Sequence, residues 1–92
     1  MSDAKWVVLY TPSPDVATLA PVHMPAHQKH YRAAHERGEL LMIGTFGDPF
    51  TQGSMCILDS EDAAKRFAAE DPFVVNGVVQ SYEIRRWDEI LT

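Results

Sequence analysis

Cysteine is almost absent from this chain of 92 residues: Cys56 stands alone, so no internal disulfide can staple the fold. Basic residues are scarce too. Eight Lys and Arg face thirteen Asp and Glu, a net charge of −5 with neutral histidines. That balance opposes a large nucleic-acid interface, which needs clustered cations. The adjacent basic pair Arg85-Arg86 falls on a predicted strand and reads as a solvated edge or as ion-pair partners. Long apolar runs are missing as well, since Trp6 to Tyr10 and Leu40 to Ile43 are far too short to cross a bilayer. Met1 to Lys5 shows no basic stretch followed by an apolar one, the pattern of a secretory leader. No repeat, linker or low-complexity tract breaks the chain. These absences lead to the expectation of a single cytoplasmic domain, residues 1–92, with neither a nucleic-acid nor a membrane partner.

What is present is a globular composition with regular patterning. The apolar fraction is 46%, which argues against disorder. Trp6 to Thr11 is rich in Val and aromatics and reads as a strand. Pro12 and Pro14 stop it, and the stretch up to Val22 reads as loop. A helix is expected from about His23 to Arg37, with Pro25 tolerated near its start and Gly38 as its stop. Helical spacing puts Met24, His27, Tyr31 and Ala34 on one face, and Gln28, Lys29, Arg32 and Glu36 on the other. Leu40 to Phe46 and Ser54 to Leu58 read as strands across a turn-rich link. A second helix, capped by Asp59 or Ser60, carries Ala63, Ala64, Phe67 and Ala68 and ends before Pro72. A last strand runs from Val78 to Trp87.

The order βαββαβ predicts a ferredoxin-like α+β fold, an antiparallel sheet of order 4-1-3-2 with two helices on one face. In that topology the end of the first strand, the start of the first helix and the end of the second helix meet at one end of the domain. The end of the second strand and the start of the third join them there. Tyr10, His27, Thr45, Ser54, Asp71 and Pro72, far apart in sequence, gather at that end. The strands also predict a partner. Trp6, Val8 and Tyr10 alternate with Val7 and Leu9, Leu40 and Met42 with Leu41 and Ile43, and Cys56 and Leu58 with Met55 and Ile57. Both faces are therefore apolar, whereas a sheet with one wet face alternates apolar with polar. Two helices cover one face, and a homodimer packed sheet on sheet is expected to cover the other.

Pro25-Ala26-His27 on the first helix and Asp71-Pro72-Phe73 after the second flank Arg37-Gly38-Glu39-Leu40-Leu41 and Gly53-Ser54. Together these resemble the YCII-related family over nearly the whole chain. The resemblance implies a ferredoxin-like dimer of the dimeric α+β barrel type and a His27–Asp71 dyad. It also implies that Pro72 holds the Asp71 backbone and that Ser54 lines a pocket. Independently of the family, a carboxylate on one imidazole nitrogen fixes the tautomer and leaves the other nitrogen as a base. A helix start would oppose a positive imidazole by roughly 0.3–1 kcal/mol, and an adjacent carboxylate favours it more strongly. The plainer alternatives stay open: His27 as a core histidine satisfied by Asp71, and Asp71 as a helix cap ahead of a proline. The chain departs from some relatives by lacking an Arg before the first helix and by carrying Thr45 after Gly44, where a proline is usual. A base is thus expected without the usual oxyanion stabiliser, a place that His23 could fill.

His23, His27 and His30 share a helix face, but no Cys or Glu completes a metal set, so no metal is expected. Cys56 reads as a small buried hydrophobe. The expected function is cofactor-free acid–base chemistry. His27, assisted by Asp71, removes a proton from a small cyclic or enolisable molecule, for elimination of the dehydrochlorinase (lyase) kind or for isomerisation. Tyr10, Tyr31 and Phe46 are expected to form apolar walls, and Ser54, Thr45, Pro72, Tyr10 and His23 to bind the substrate. The competing expectation is a non-catalytic, small-ligand-binding or accessory dimer on the same fold. A purely structural dimer would instead fill the space around His27.

Overall fold

A computed structural model of the protein describes residues 4–91. The elements follow in the order β1 (Lys5–Pro12), α1 (Val16–Glu36), β2 (Leu40–Thr45), α2 (Pro49–Gln52), β3 (Ser54–Leu58), α3 (Glu61–Glu70), α4 (Pro72–Val75) and β4 (Val79–Trp87). The four strands form one antiparallel sheet in the order β2-β3-β1-β4, the order expected. The helices pack on one face of it around Val8, Tyr10, Ala34, Leu40, Cys56, Leu58, Ala63, Ala64, Phe67 and Ala68. The fold is thus the α+β, ferredoxin-like arrangement that the pattern predicts.

Local chemistry sets most of the boundaries. Ser60 caps α3 by accepting the Ala63 N–H at 3.1 Å. Glu61 and Asp62 follow in its first turn, where negative charge suits the helix dipole. Gly38, at φ 81°, closes α1. Its N–H donates to the His35 carbonyl and the Glu39 N–H donates to the Ala34 carbonyl, which satisfies the last turn. Asp48 caps the single turn α2, within the link expected only as a turn, by accepting the Phe50 N–H at 3.0 Å.

The first helix corrects the expectation of a loop up to Val22. α1 begins at Val16 and holds both Pro21 and Pro25 inside it. Each proline lacks the N–H that would reach back one turn, so the carbonyls of Ala17 and Pro21 lose that partner. Ala17, Pro21 and Pro25 stand four apart and are all exposed. The missing bonds therefore lie on one strip turned to water, where carbonyls can be solvated. The opposite side buries Ala20, His27 and Ala34, and this burial carries the helix past its prolines. His27 consequently sits about three turns inside α1 rather than at its start, and the effect of a helix N-terminus on its charge does not apply.

A second correction concerns β2. The register shifts between Leu40 and Met42: Leu40 pairs with Leu58 and Ile43 with Cys56, while Met42 pairs with Ile57. The bulge at Leu41 puts Leu40 and Ile43, not Leu40 and Met42, on the helix-covered face, because one extra residue reverses the alternation. The uncovered face then shows Val7 and Leu9 from β1, Met42 from β2, Met55 and Ile57 from β3, and Glu83 and Arg85 from β4. β4 is an edge strand, and its Arg85 and Arg86 pair with Glu83 at 3.7 Å and Asp88 at 3.2 Å, all exposed.

Candidate functional site

Asp71 is placed by the break between two helices. It follows α3 and caps α4, its Oδ1 accepting the Phe73 N–H at 3.0 Å, while Pro72 occupies the first position of α4. The side chain is completely buried. His27 Nδ1 lies 2.8 Å from the same Oδ1, and the Tyr10 hydroxyl donates to Oδ2 at 2.8 Å. Both carboxylate oxygens are thus accepting, which requires His27 Nδ1 to carry a hydrogen and donate it. In the neutral ring the lone pair then sits on Nε2. Nε2 has no protein partner, and no buried side-chain nitrogen or oxygen lacks one among the described residues. Nε2 is therefore the open nitrogen.

Aromatic rings hold the imidazole in this pose. Phe73 stacks on it with centroids 3.8 Å apart and planes 5° from parallel. Tyr31 meets it edge-on at 5.1 Å. The Asp-Pro-Phe step therefore supplies His27 with a carboxylate and with a ring to lie against. Phe73 stands two residues after Asp71 in the Asp-Pro-Phe motif, yet its place against His27 is not legible in the sequence.

Burial and hydrogen bonding set the ionisation of the group around Asp71. Burial alone pushes the Asp71 carboxyl up. The hydrogen bond and charge of His27, the Phe73 N–H and the Tyr10 hydroxyl outweigh it and leave the carboxyl below its ordinary value. The Tyr10 hydroxyl is held well above the usual phenol range by burial and by the adjacent Asp71 carboxylate. The Cys56 thiol is pushed up to about 12 by burial and by Asp71, so the thiolate needed for nucleophilic chemistry is suppressed.

His27 opens onto a cavity of about 300 Å³ between the helices and the sheet. Its wall includes Val16, Ala20, Met24, His27 and Tyr31 from α1, and Tyr10, Ile43, Thr45, Ser54 and Cys56 from the sheet. Pro12, Pro49, Phe50, Met55, Phe73, Val78 and Val79 add to the apolar lining. Of the expected site residues, Tyr10, His27, Thr45 and Ser54 meet at this wall. Thr45 and Ser54 are register partners across β2 and β3. Asp71 stands behind His27, and Pro72 belongs to the α4 turn; neither lines the cavity. Tyr10 contributes its ring to the wall, but its hydroxyl is committed to Asp71. His23 is not in the wall, although it lies within about 40° of His27 round the helix. Phe46 is absent as well, and Phe50, turned in by the unforeseen α2, stands in the wall. The filled space that a purely structural dimer would leave around His27 is not found.

The other histidines of α1 face elsewhere. His30 Nε2 lies 2.9 Å from the Phe67 carbonyl and His35 Nδ1 3.0 Å from the Leu40 carbonyl, so each acts there as a donor. Among the described residues, no three His, Cys, Asp or Glu gather as a metal site. Among the described residues, no helix is long and apolar enough to cross a membrane.

A four-stranded antiparallel sheet, two main helices on one face and a buried carboxylate–imidazole pair beside a cavity define a small α+β protein of the ferredoxin-like class. The sequence matches the YCII-related domain over residues 4–88, and the chain belongs to that family. No curated protein matches it by sequence. Among solved structures it is similar to 5-chloro-2-hydroxyhydroquinone dehydrochlorinase (TftG) from Burkholderia phenoliruptrix AC1100, solved in complex with 2,5-dihydroxybenzoquinone. The TM-score is 0.74 at 18% identity, over 91% of this chain and 93% of that one. At that identity the likeness is one of fold.

Proposed function

We propose that this protein is a small-molecule acid–base enzyme in which His27 Nε2 takes a proton from a cyclic or enolisable substrate held in the cavity. The observation that carries the proposal is the state of His27: Nδ1 tied to a fully buried carboxylate and Nε2 open at the cavity wall. A base needs this division, because the carboxylate orients the ring and stabilises the imidazolium that forms. In an elimination, Nε2 receives the substrate proton, the freed electron pair becomes a new double bond, and a leaving group such as chloride departs with its own pair. In an isomerisation, the imidazolium returns the proton to another carbon. Neither route requires a cofactor. The structural neighbour's name, a dehydrochlorinase, and its quinone ligand support the elimination route. The hydroxyls of Ser54 and Thr45, paired across the strands, are the proposed donors to a substrate oxygen.

The test is chloride release from 5-chloro-2-hydroxyhydroquinone, the neighbour's named substrate, together with proton exchange from enolisable ketones in heavy water. His27→Ala, folded by circular dichroism, is expected to lose about 10²–10⁴-fold in rate. An undiminished rate would sink the proposal. One observation favours a second reading, a non-catalytic binding module: no Lys or Arg stands in the wall to hold an oxyanion. That reading gains if ligands bind beside His27 and a broad screen yields no turnover. Under either reading we place a second copy of the chain on the open sheet face and the protein in the cytoplasm, where a lone thiol stays reduced.

A further inference from the structure

The cavity wall contains His27 but no Lys, Arg, Asp or Glu. Directly behind His27 lies Asp71, fully buried, with both oxygens occupied by donors. From these two facts we infer that the pocket takes uncharged ring compounds and turns away ligands carrying a carboxylate or phosphate.

Charge balance sets this preference. With His27 neutral, the Asp71 carboxylate gives the site a net negative charge. With His27 protonated, the pair sums to zero. In neither state does the site carry a net positive charge to offset that of a bound anion. An anionic ligand would place a second negative charge near Asp71 inside an apolar enclosure, where charges interact far more strongly than in water. A sheet-on-sheet partner does not alter the balance, because it would cover the face opposite the cavity. Size and lining agree with the sign. About 300 Å³ bounded by Met24, Tyr31, Ile43, Phe50 and Val79 suits a single ring with few polar substituents. The polar positions on offer are His27 Nε2 on the helix side and the Ser54 and Thr45 hydroxyls on the sheet side. They match a ring bearing hydroxyl or carbonyl groups, not one bearing an acid.

This inference rests on the cavity beside His27 being the ligand site, as the proposed function holds, but it is tested by binding and not by turnover. Calorimetric titration of the unmodified protein compares hydroquinone with gentisate, which is hydroquinone with one added carboxylate, at neutral pH. Gentisate is expected to bind about tenfold or more weakly, from a like charge added at short range to a buried one. Asp71→Asn removes that buried charge and should bring the two affinities together. Met24→Lys, which places a cation in the wall without disturbing the pair, should make gentisate the tighter ligand. Equal or stronger binding of gentisate by the native protein overturns the inference, and so does failure of hydroquinone to bind at millimolar concentration. If the discrimination holds while no compound is turned over, the enzymatic reading falls and this one stands.

Discussion

Tyr10 shows how a side chain's role turns on one hydrogen bond. Its place at the end of β1 pointed to substrate binding, and its ring does line the cavity. Its hydroxyl, however, donates to Asp71 Oδ2 at 2.8 Å, so it positions the carboxylate that positions His27. Tyr10→Phe keeps the ring and leaves Oδ2 buried without a donor, at an expected cost of about 1–3 kcal/mol of stability. The sign of its pH dependence follows from Asp71. The folded carboxyl titrates below its ordinary value, and the unfolded one near 3.9 or so. The stability that Asp71 adds is therefore full above the unfolded value and is lost as pH falls through the folded one. Losing the Tyr10 donor raises the folded value, so the stability that Asp71 contributes shrinks and ends at a higher pH. Thermal melts from neutral pH down to pH 3 or so measure this, and an unchanged acid limb in Tyr10→Phe would count against the role. Phe73 belongs to the same scale. Nothing in its spacing announces a ring stacked on an imidazole, because the partner lies in another helix.

Among the elements, α1 departs most from its expected form. Two prolines and a Ser-Pro-Asp approach suggest a loop, and proline costs about 3 kcal/mol relative to Ala in a helix interior. The helix nevertheless runs from Val16, with Val16, Ala20, Met24, His27 and Tyr31 forming one seam along the cavity. Propensity gives way to burial here because the unpaired carbonyls face water. Pro21→Ala should restore one hydrogen bond on that exposed strip and raise stability by about 2 kcal/mol, after the greater freedom of the unfolded chain is allowed for. A lower melting temperature for this variant would show that Pro21 is accommodated in another way. The link between β2 and β3 is constrained more tightly. Gly53 is buried at φ 80° beside the Tyr10 carbonyl oxygen, where a Cβ would overlap that atom. This glycine thus lets β3 start next to the end of β1, and so brings Ser54 opposite Tyr10.

At the scale of the whole molecule, the second sheet face is left without helices. Val7, Leu9, Met42, Met55 and Ile57 lie there by register; Ile57 is already buried within the single chain, Val7, Leu9 and Met55 are partly covered, and Met42 is 66% exposed. Fully burying an exposed large apolar side chain contributes roughly 1.5–3 kcal/mol; Met42 stands to gain most of that and the partly covered Val7, Leu9 and Met55 a share of it, which favours association of two copies. Sedimentation should show a dimer that dissociates on dilution, and Leu9→Glu, a charge at the centre of the face, should give a monomer. A native chain that stays monomeric at all concentrations would rule out the sheet-on-sheet arrangement.

Residue order alone determined a good deal: the succession of strands and helices, the antiparallel order of the sheet, the inward turn of His27 and the end of the fold where Asp71, Ser54 and Thr45 collect. Those features follow from apolar periodicity and from the handedness of crossovers, which are local or nearly so. Tertiary structure alone decided the start of α1, the bulge at Leu41, the stacking of Phe73 on His27, the commitment of Tyr10 to Asp71 and the absence of His23 and Phe46 from the cavity. Each of these depends on a balance between distant groups: burial against a lost hydrogen bond, or a buried carboxylate against the donors within its reach. Such balances are settled in space, between residues the sequence keeps far apart.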